Sequence, residues 1–548
     1  MVNRQEPVLP PFEPTAPALI EHVARHYGDH ALAVLGDARL TYADAHARSA
    51  LMAKALLASG VGKGTRVGLL APNGPDWIIA WLAVARIGAI ATLLNTYHKA
   101  AELGHVLRHA DVQVLLAADA HLGADHLARL EAAVPDLAAQ PHGAIRSTSH
   151  PSLRSVWTWG GAHTRPWAGH RDDLLAIAAA VPDELLAAAE REVTPADEMM
   201  IIYTSGSTSA PKGVVHGHGP AIRHAYNLAT LRALAADDVL YGSMPLFWVG
   251  GVGYTFMAAM MVGATVVYED RFEPEATLRL LEREHVTQIL GWPHLAKALA
   301  DHPTCGERDL SALRFPVLNG ANQPAGLAAS TLGSLGMTET FGPHTYGARP
   351  EDPTDIPGSF GRPVPGVEHK IVDAITGEDL PPGNSGQICV RGYSLMLGFY
   401  KVERSQVFTA DGWYRTGDAG WFDEHGHLHF VGRLGDAIKT SGMNVTPRDV
   451  EIALEELPEV VAAFVTGTPS ERGEDVVAGV VIRPGASADA ASLRAAVKER
   501  IASYKVPRHI TLFTSQAELP MLDSGKIDRR RVNEAIRADY EPHLHAGG

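Results

Sequence analysis

The densest run of chemistry-bearing side chains in the sequence is Ile201–His216, IIYTSGSTSAPKGVVH. An apolar strand end runs into Thr204, Ser205, Gly206, Ser207, Thr208 and Ser209, followed by Ala210, Pro211, Lys212 and Gly213. Small hydroxyl residues and glycine let backbone N–H and side-chain O–H groups converge on anionic oxygens, and Lys212 adds a point charge. That is the make-up of a phosphate cradle. It is equally the make-up of a Ser/Thr/Gly surface loop, so the run alone does not decide. A Walker A loop is excluded, because Gly206 to Gly213 reads G-S-T-S-A-P-K-G, with proline before the lysine and no Ser or Thr after it.

Other candidates are weaker when taken singly. Lys526 alone reads as a surface lysine, Asp418 as a turn residue after Gly417, and Glu339 as a solvated carboxylate at a helix start. His425, His427 and His429 alternate within Asp423–Phe430, and at a strand period of two they would share one face. With no further metal ligand evident, an exposed strand is the expectation there. Cys305 and Cys389 are too few for a disulfide framework or a zinc site and read as reduced residues.

The elements that must position such residues follow from pattern. The chain has 548 residues, 46% of them apolar and 20% charged, which is globular composition on the scale of several structural units. A formal charge of −15 argues against nucleic acid as the main partner, since phosphate backbones need a basic footprint. The N-terminal residues carry Pro and Glu where a signal peptide would be apolar, so a cytoplasmic protein is expected. The charge-free run Met244–Tyr268 is long enough to cross a bilayer, but Pro245 and four glycines interrupt it and no basic cluster flanks it. A buried helix followed by a core strand at Ala264–Tyr268 is expected instead, with no integral membrane span.

Before residue 200, apolar runs alternate with helical patterns: strands at Arg66–Leu70, Ala89–Leu94 and Val112–Ala117, helices at Pro75–Gly88 and Ala100–Ala110. Strands at Val239–Tyr241, Ala264–Tyr268, Thr287–Leu290 and Val317–Leu318 continue the rhythm, which predicts parallel sheets covered by helices. Pro141–Pro182 reads as an irregular excursion. After Asp352 come short β segments (HKIVD, GQICVRG, WYRTGD, LHFVGR). After Arg433 a compact α+β unit is expected, with helices at Asp449–Leu457 and Ala491–Tyr504 and strands at Val460–Thr466 and Val476–Ile482.

Against this frame the loop Thr204–Gly213 closely resembles the phosphate-binding signature of the adenylate-forming (AMP-binding) superfamily, which includes acyl-CoA synthetases, adenylation domains and beetle luciferases. Further motifs follow in that family's order: Leu335-Gly336-Met337-Thr338-Glu339-Thr340, Gly386–Gly392, Asp411–Asp418, Gly432–Asp436, Lys439–Pro447, Tyr504–Arg508 and Ser524-Gly525-Lys526-Ile527. The resemblance spans residues 201–527 and, more loosely, Leu40–Leu115. It implies a large N-terminal domain over residues 1–432 that includes the β-rich subdomain, a hinge at 433–435 centred on Gly435, and a small mobile α+β domain over 436–548.

The resemblance also implies roles. ATP would lie against Thr204, Ser205, Gly206, Ser207, Thr208, Lys212, Gly320, Ala321, Asn322, Leu335, Gly336, Thr338, Glu339, Asp418, Arg433 and Lys526. Thr204, Glu339 and Lys526 would be catalytic, with Thr204 and Glu339 serving Mg²⁺, a hard cation that prefers oxygen. Asp418, acceptor-only when ionised, suits the ribose hydroxyls, and Lys526 would meet the charge developing on the α-phosphate. Coenzyme A would meet Lys439, Ser441 and Gly442. Pro245-Leu246-Phe247-Trp248 resembles a Pro-Leu-Phe-His motif beside the acyl pocket, where Gly250 and Gly251 would widen the wall for a medium or long chain or a bulky ring; Trp248 reads equally as a core aromatic.

Three departures stand out. Ser209 replaces a glycine, Leu335 replaces an aromatic that stacks on adenine, and only a short stretch separates Gly320 from Leu335. The reading is an ATP-dependent acid–CoA ligase for a small-molecule carboxylic acid, in fatty-acid or lipid metabolism, with a homodimer compatible. The alternatives are an enzyme that loads a carrier-protein thiol and a non-catalytic nucleotide-binding homologue.

Overall fold

The computed structural model describes residues 6–545 except 162, 205–210, 292, 315–332, 348–355, 357, 435–437, 441–442, 446, 471–472, 502 and 523–526. The chain divides into two compact units, residues 1–368 with 391–414, and residues 369–390 with 415–548.

Two sheets build the first unit. The larger has eight strands in the order Gly398–Phe399, Lys212–Gly217, Glu198–Thr204, Ile90–Leu93, Arg66–Leu70, Val114–Ala118, Ser155–Trp159 and Ala168–His170. Its last six strands pair in parallel, while Lys212–Gly217 runs antiparallel to Glu198–Thr204. The smaller sheet orders Gln288–Leu290, Val239–Gly242, Thr265–Tyr268, Ala31–Leu35 and Ala38–Thr41. One apolar core takes Val67, Leu69, Met200 and Ile202 from the first sheet and Leu32, Ala33 and Val266 from the second. The helix Pro75–Arg86 joins that core and buries every residue from Trp77 to Arg86, as expected of a helix apolar all round.

The predicted strands and helices of this unit recur within a few residues. Val317–Leu318 lies outside the described residues. Pro141–Pro182 is a correction: it supplies the two outer strands Ser155–Trp159 and Ala168–His170 and a short helix at Arg171–Ala176. Trp and Thr on alternating buried positions fit a pleated surface, a signal masked by the polar residues around them. Among the described residues no helix is long and apolar enough to cross a membrane, and Met244–Tyr268 forms a buried π-type helix at Gly250–Met257, then the strand Thr265–Tyr268.

The strand Tyr414–Phe422, which from Arg415 onward belongs to the second unit, pairs antiparallel with Leu428–Arg433. This unit also holds a five-stranded sheet in which Gly473–Ile482 pairs with Val460–Ser470, Ile438–Thr440 and, in parallel, His509–Phe513. Helices Pro447–Glu455, Ala490–Lys498 and Arg529–His545 accompany that sheet. The expected exposed histidine strand is corrected. His425 sits in the exposed turn, while His427 is buried and approaches Asp423 through Nδ1 at 3.2 Å. No group of three His, Cys, Asp or Glu is placed for a metal among the described residues. Cys305 and Cys389 are each buried.

Candidate active site

Thr204 ends one strand and Lys212 begins the next, and the register pairs them directly. These two residues therefore bracket the hydroxyl- and glycine-rich run at fixed separation. Ser205, Gly206, Ser207 and Thr208 lie outside the described residues. Thr204 is half-buried, and the exposed Lys212 holds its ammonium 5.3 Å from the Phe399 ring centroid.

Leu335, Gly336, Thr338 and Glu339 sit on a tight turn whose legs, Gly336–Met337 and Gly342–Pro343, pair antiparallel. Glycine is required at 336, because a Cβ there would stand 2.7 Å from the Gly342 carbonyl and the Pro343 nitrogen. Leu335 is half-buried; its N–H donates to Thr345 Oγ1 at 3.0 Å and its carbonyl accepts from the His344 N–H at 2.8 Å. Thr338 and Glu339 are half-buried on a single 3₁₀ turn ending at Phe341, a fully buried residue with φ +58°. Tyr414 donates its hydroxyl toward Glu339 Oε1 at 3.4 Å, and the Met396 N–H donates to the Glu339 carbonyl at 2.8 Å. Gly320, Ala321 and Asn322 lie outside the described residues.

Sequence reasoning missed the supports of this turn. His216 sits on the strand leaving the phosphate-type run and donates Nε2–H to the Thr338 carbonyl at 2.8 Å. Burial pushes its pKa down to about 4, so the imidazole is neutral at pH 7. The signal was the placement of a histidine in the apolar stretch after Lys212, which only a buried partner explains.

In the second unit, Asp418 and Arg433 are directly opposite across the antiparallel pair, with Arg433 Nε 2.9 Å from Asp418 Oδ1. Asp418 is buried and Arg433 exposed. The Asp418 N–H donates to Thr416 Oγ1 at 3.0 Å, and Arg433 Nη1 donates to the Thr416 carbonyl at 3.2 Å. Asp418 is thus a strand residue rather than a turn residue. Lys439 lies in a short strand opposite Asn444, so the expected loop begins as a hairpin. Gly435, Ser441, Gly442 and Lys526 lie outside the described residues.

The glycines of the expected acyl pocket are explained differently. A Cβ at Gly251 would fall 2.0 Å from the Pro245 carbonyl oxygen, and one at Gly250 would fall 2.6 Å from the Met244 sulfur. Close approach by this chain's own atoms, not a receding pocket wall, is the reason for glycine at 251. Asn73 pins the same segment, donating to the Met244 carbonyl at 3.0 Å and accepting from the Leu246 N–H at 2.7 Å. Trp248 is half-buried against the core, 5.3 Å from the Phe247 ring and 6.3 Å from Tyr97.

A family model described as AMP-binding enzyme matches residues 20–400, and one described as AMP-binding enzyme C-terminal domain matches residues 449–526. The chain is 32% identical over 533 residues to a 3-[(3aS,4S,7aS)-7a-methyl-1,5-dioxo-octahydro-1H-inden-4-yl]propanoyl:CoA ligase of Mycobacterium tuberculosis, covering 95% of this chain and 98% of that one. It is also 32% identical over 513 residues to a feruloyl-CoA synthase of an Amycolatopsis species, covering 92% and 95%. The ATP-bound crystal structure of MatB from Rhodopseudomonas palustris superposes with a TM-score of 0.79 at 24% identity, covering 96% of this chain and all of that one, a likeness of fold.

Proposed function

The chain belongs to the AMP-binding enzyme family and is an ATP-dependent acid–CoA ligase, and we propose that the acid it activates carries a ring system. In this reaction a carboxylate oxygen attacks the α-phosphorus of ATP and pyrophosphate leaves. The thiol of coenzyme A then attacks the acyl carbon of the adenylate, loses its proton, and releases AMP. The first step brings two anions together, so the residues must neutralise charge and hold atoms in line.

The observation that carries the reading is the fixed pairing of Thr204 with Lys212 around a run of small hydroxyl residues, on the strand that continues to His216. Thr204, Ser205, Gly206, Ser207, Thr208 and Lys212 would hold phosphate oxygens. Thr338 would donate to the α-phosphate. The half-buried Glu339 carboxylate and Thr204 hydroxyl are the hard oxygen donors that Mg²⁺ takes, and Mg²⁺ when bound offsets phosphate charge. Asp418, which pairs with Arg433 and is acceptor-only when ionised, would accept from the ribose hydroxyls. The reading assigns Gly320, Ala321, Asn322 and Leu335 to adenine, Lys526 to the developing α-phosphate charge, Lys439, Ser441 and Gly442 to coenzyme A, and Gly435 to the hinge between domains 1–432 and 436–548.

Support for the ring comes from two relatives, whose printed names specify an indenyl propanoyl group and a feruloyl group. A medium- or long-chain acid, and with it a place in lipid metabolism, is the competing choice. A cytoplasmic setting, where ATP and coenzyme A are supplied, and a homodimer belong to the same proposal. Pyrophosphate release and acyl-CoA formation across a panel of aromatic, alicyclic and straight-chain acids test it. Preference for straight chains sinks the ring, and pyrophosphate without acyl-CoA points to a carrier-protein thiol. No pyrophosphate with any acid leaves only nucleotide binding.

A further inference from the structure

The turn Gly336–Pro343 holds two consecutive residues at positive φ, Phe341 at +58° and Gly342 at +118°. A buried, bulky residue in the left-handed region is strained and persists only where its surroundings over-determine it. Here the surroundings are specific. Where the first leg ends, the Thr338 carbonyl has both lone pairs taken, by the Phe341 N–H at 3.0 Å and by His216 Nε2–H at 2.8 Å. On the other leg the Pro343 carbonyl accepts from His224 Nε2–H at 2.9 Å. His224 is itself fixed: its Nδ1 accepts from the Tyr393 hydroxyl at 3.3 Å, which accepts in turn from Asn227 Nδ2 at 2.9 Å. The Phe341 ring lies edge-to-face on His216 at 4.8 Å and also approaches Gly253, where a Cβ would stand 3.0 Å away.

Neither histidine is needed for packing alone, since an apolar side chain would fill each buried site without the cost of desolvating an imidazole. Among the described residues, His216 Nδ1 is buried without a hydrogen-bond partner. What both supply is an N–H aimed at a carbonyl of the strained turn. His216 stands on the strand that leaves Thr204 and Lys212, and His224 on the helix His218–Leu231 that follows it. The two supports therefore tie the turn to the strand that bears Lys212.

We propose that His216 and His224 are positioning residues that clamp the two legs of the Gly336–Pro343 turn and so fix Thr338 and Glu339 relative to the phosphate-binding strand. The inference rests on the ligase reading for what the turn does. A turn whose peptide planes are fixed in advance spends nothing on ordering when charge develops.

The experiment compares His216→Leu, which keeps bulk but loses the donor, with His216→Gln, whose amide nitrogen replaces Nε2. His216→Leu should lower kcat for pyrophosphate release about 30-fold, the scale of a buried carbonyl losing its partner, with KM for the acid within about twofold. His216→Gln should stay within about threefold of wild type. Hydrogen exchange in the ligand-free protein supplies an independent readout: amides of residues 336–345 should exchange faster in His216→Leu and not in His216→Gln. Equal kcat in His216→Leu and wild type, or equal loss in both variants, overturns the clamp. If His216→Leu does not fold, Gly253→Ala carries the same test by displacing the Phe341 ring, and unchanged kcat and exchange there overturn it. If wild type itself binds no ATP and releases no pyrophosphate, the ligase reading fails and the clamp's purpose with it.

Discussion

Asp418 and Arg433 meet across a single hairpin, whereas the turn that carries Thr338 and Glu339 is held by groups distant from it in sequence: His216 on the Thr338 carbonyl, His224 on the Pro343 carbonyl, Met396 on the Glu339 carbonyl, and Tyr414, at the start of the hairpin strand, on the Glu339 carboxylate. In the hairpin, a strand period of two and antiparallel register are enough to place an acid opposite a base. In the turn, backbone strain is balanced by donors distant in sequence. The difference teaches where each arrangement is vulnerable. The hairpin should respond only to its own residues, and the turn to changes in side chains that never touch substrate.

The largest effect is expected at the turn. Glu339→Gln keeps shape but removes charge, and should lower single-turnover pyrophosphate release about 10²- to 10³-fold, the scale of losing one preorganised electrostatic group. The melting temperature should not move. A parallel fall in stability would show that Glu339 holds the turn instead of serving from it.

Next comes the hairpin. Asp418→Ala should reduce kcat/KM for ATP about 10- to 100-fold, since it removes a charged acceptor and strips Arg433 of its partner. Hydrogen exchange in residues 336–345 should be unchanged. Altered exchange there would end the claim that the two regions fail independently.

Acid separates them further. Burial holds His216 and His224 at about 4 and His344 at about 3, against an ordinary value of 6.5. The unfolded chain therefore takes up protons first as pH falls. Stability from these groups is complete above pH 6.5 and is lost progressively toward pH 4, by up to ~1.4 kcal/mol per pH unit per histidine. In the hairpin, burial alone would raise the Asp423 pKa, but the His427 and His425 N–H groups and the nearby imidazoles outweigh it, so the pKa falls below its ordinary 3.8. Its contribution is present above that value and lost only as pH falls below it. Thermal melts followed from pH 8 to 4 should show the first unit weakening while the second holds. Transitions that shift together would erase the contrast.

The smallest effect is expected at Arg433, whose side chain is 57% exposed. Arg433→Lys keeps the charge but loses the Nε donor, and should cost about two- to fivefold in kcat/KM for ATP. A loss as large as that of Asp418→Ala would make Arg433 a direct phosphate contact.

Much of this was legible in the residues. Short-range pattern gave the parallel strands from Arg66 to Ala117, the short β segments that end in Asp418 and Arg433, and the order of motifs that marks the family. Glycine at 336 was legible as part of a motif, though its cause, the approach of Gly342 and Pro343, was not. The strands at Ser155–Trp159 and Ala168–His170 escaped notice because their partners make them strands: Val114–Ala118 pairs with the first, and the first pairs with the second. Gly251 was hard to read for the same reason: an absent side chain looks like free space until the atoms occupying that space, here the Pro245 carbonyl, are known.

The sequence by itself determined which chemistry this chain carries, because residue types, their order and local periodicity are properties of neighbours along the chain. Only the tertiary structure decided how Thr338 and Glu339 are held. A carbonyl satisfied by a histidine on another strand, or a left-handed Phe341 packed against His216 and Gly253, arises where segments far apart in sequence are brought into contact by burial of a shared core. No period within one segment records which distant donor will arrive there.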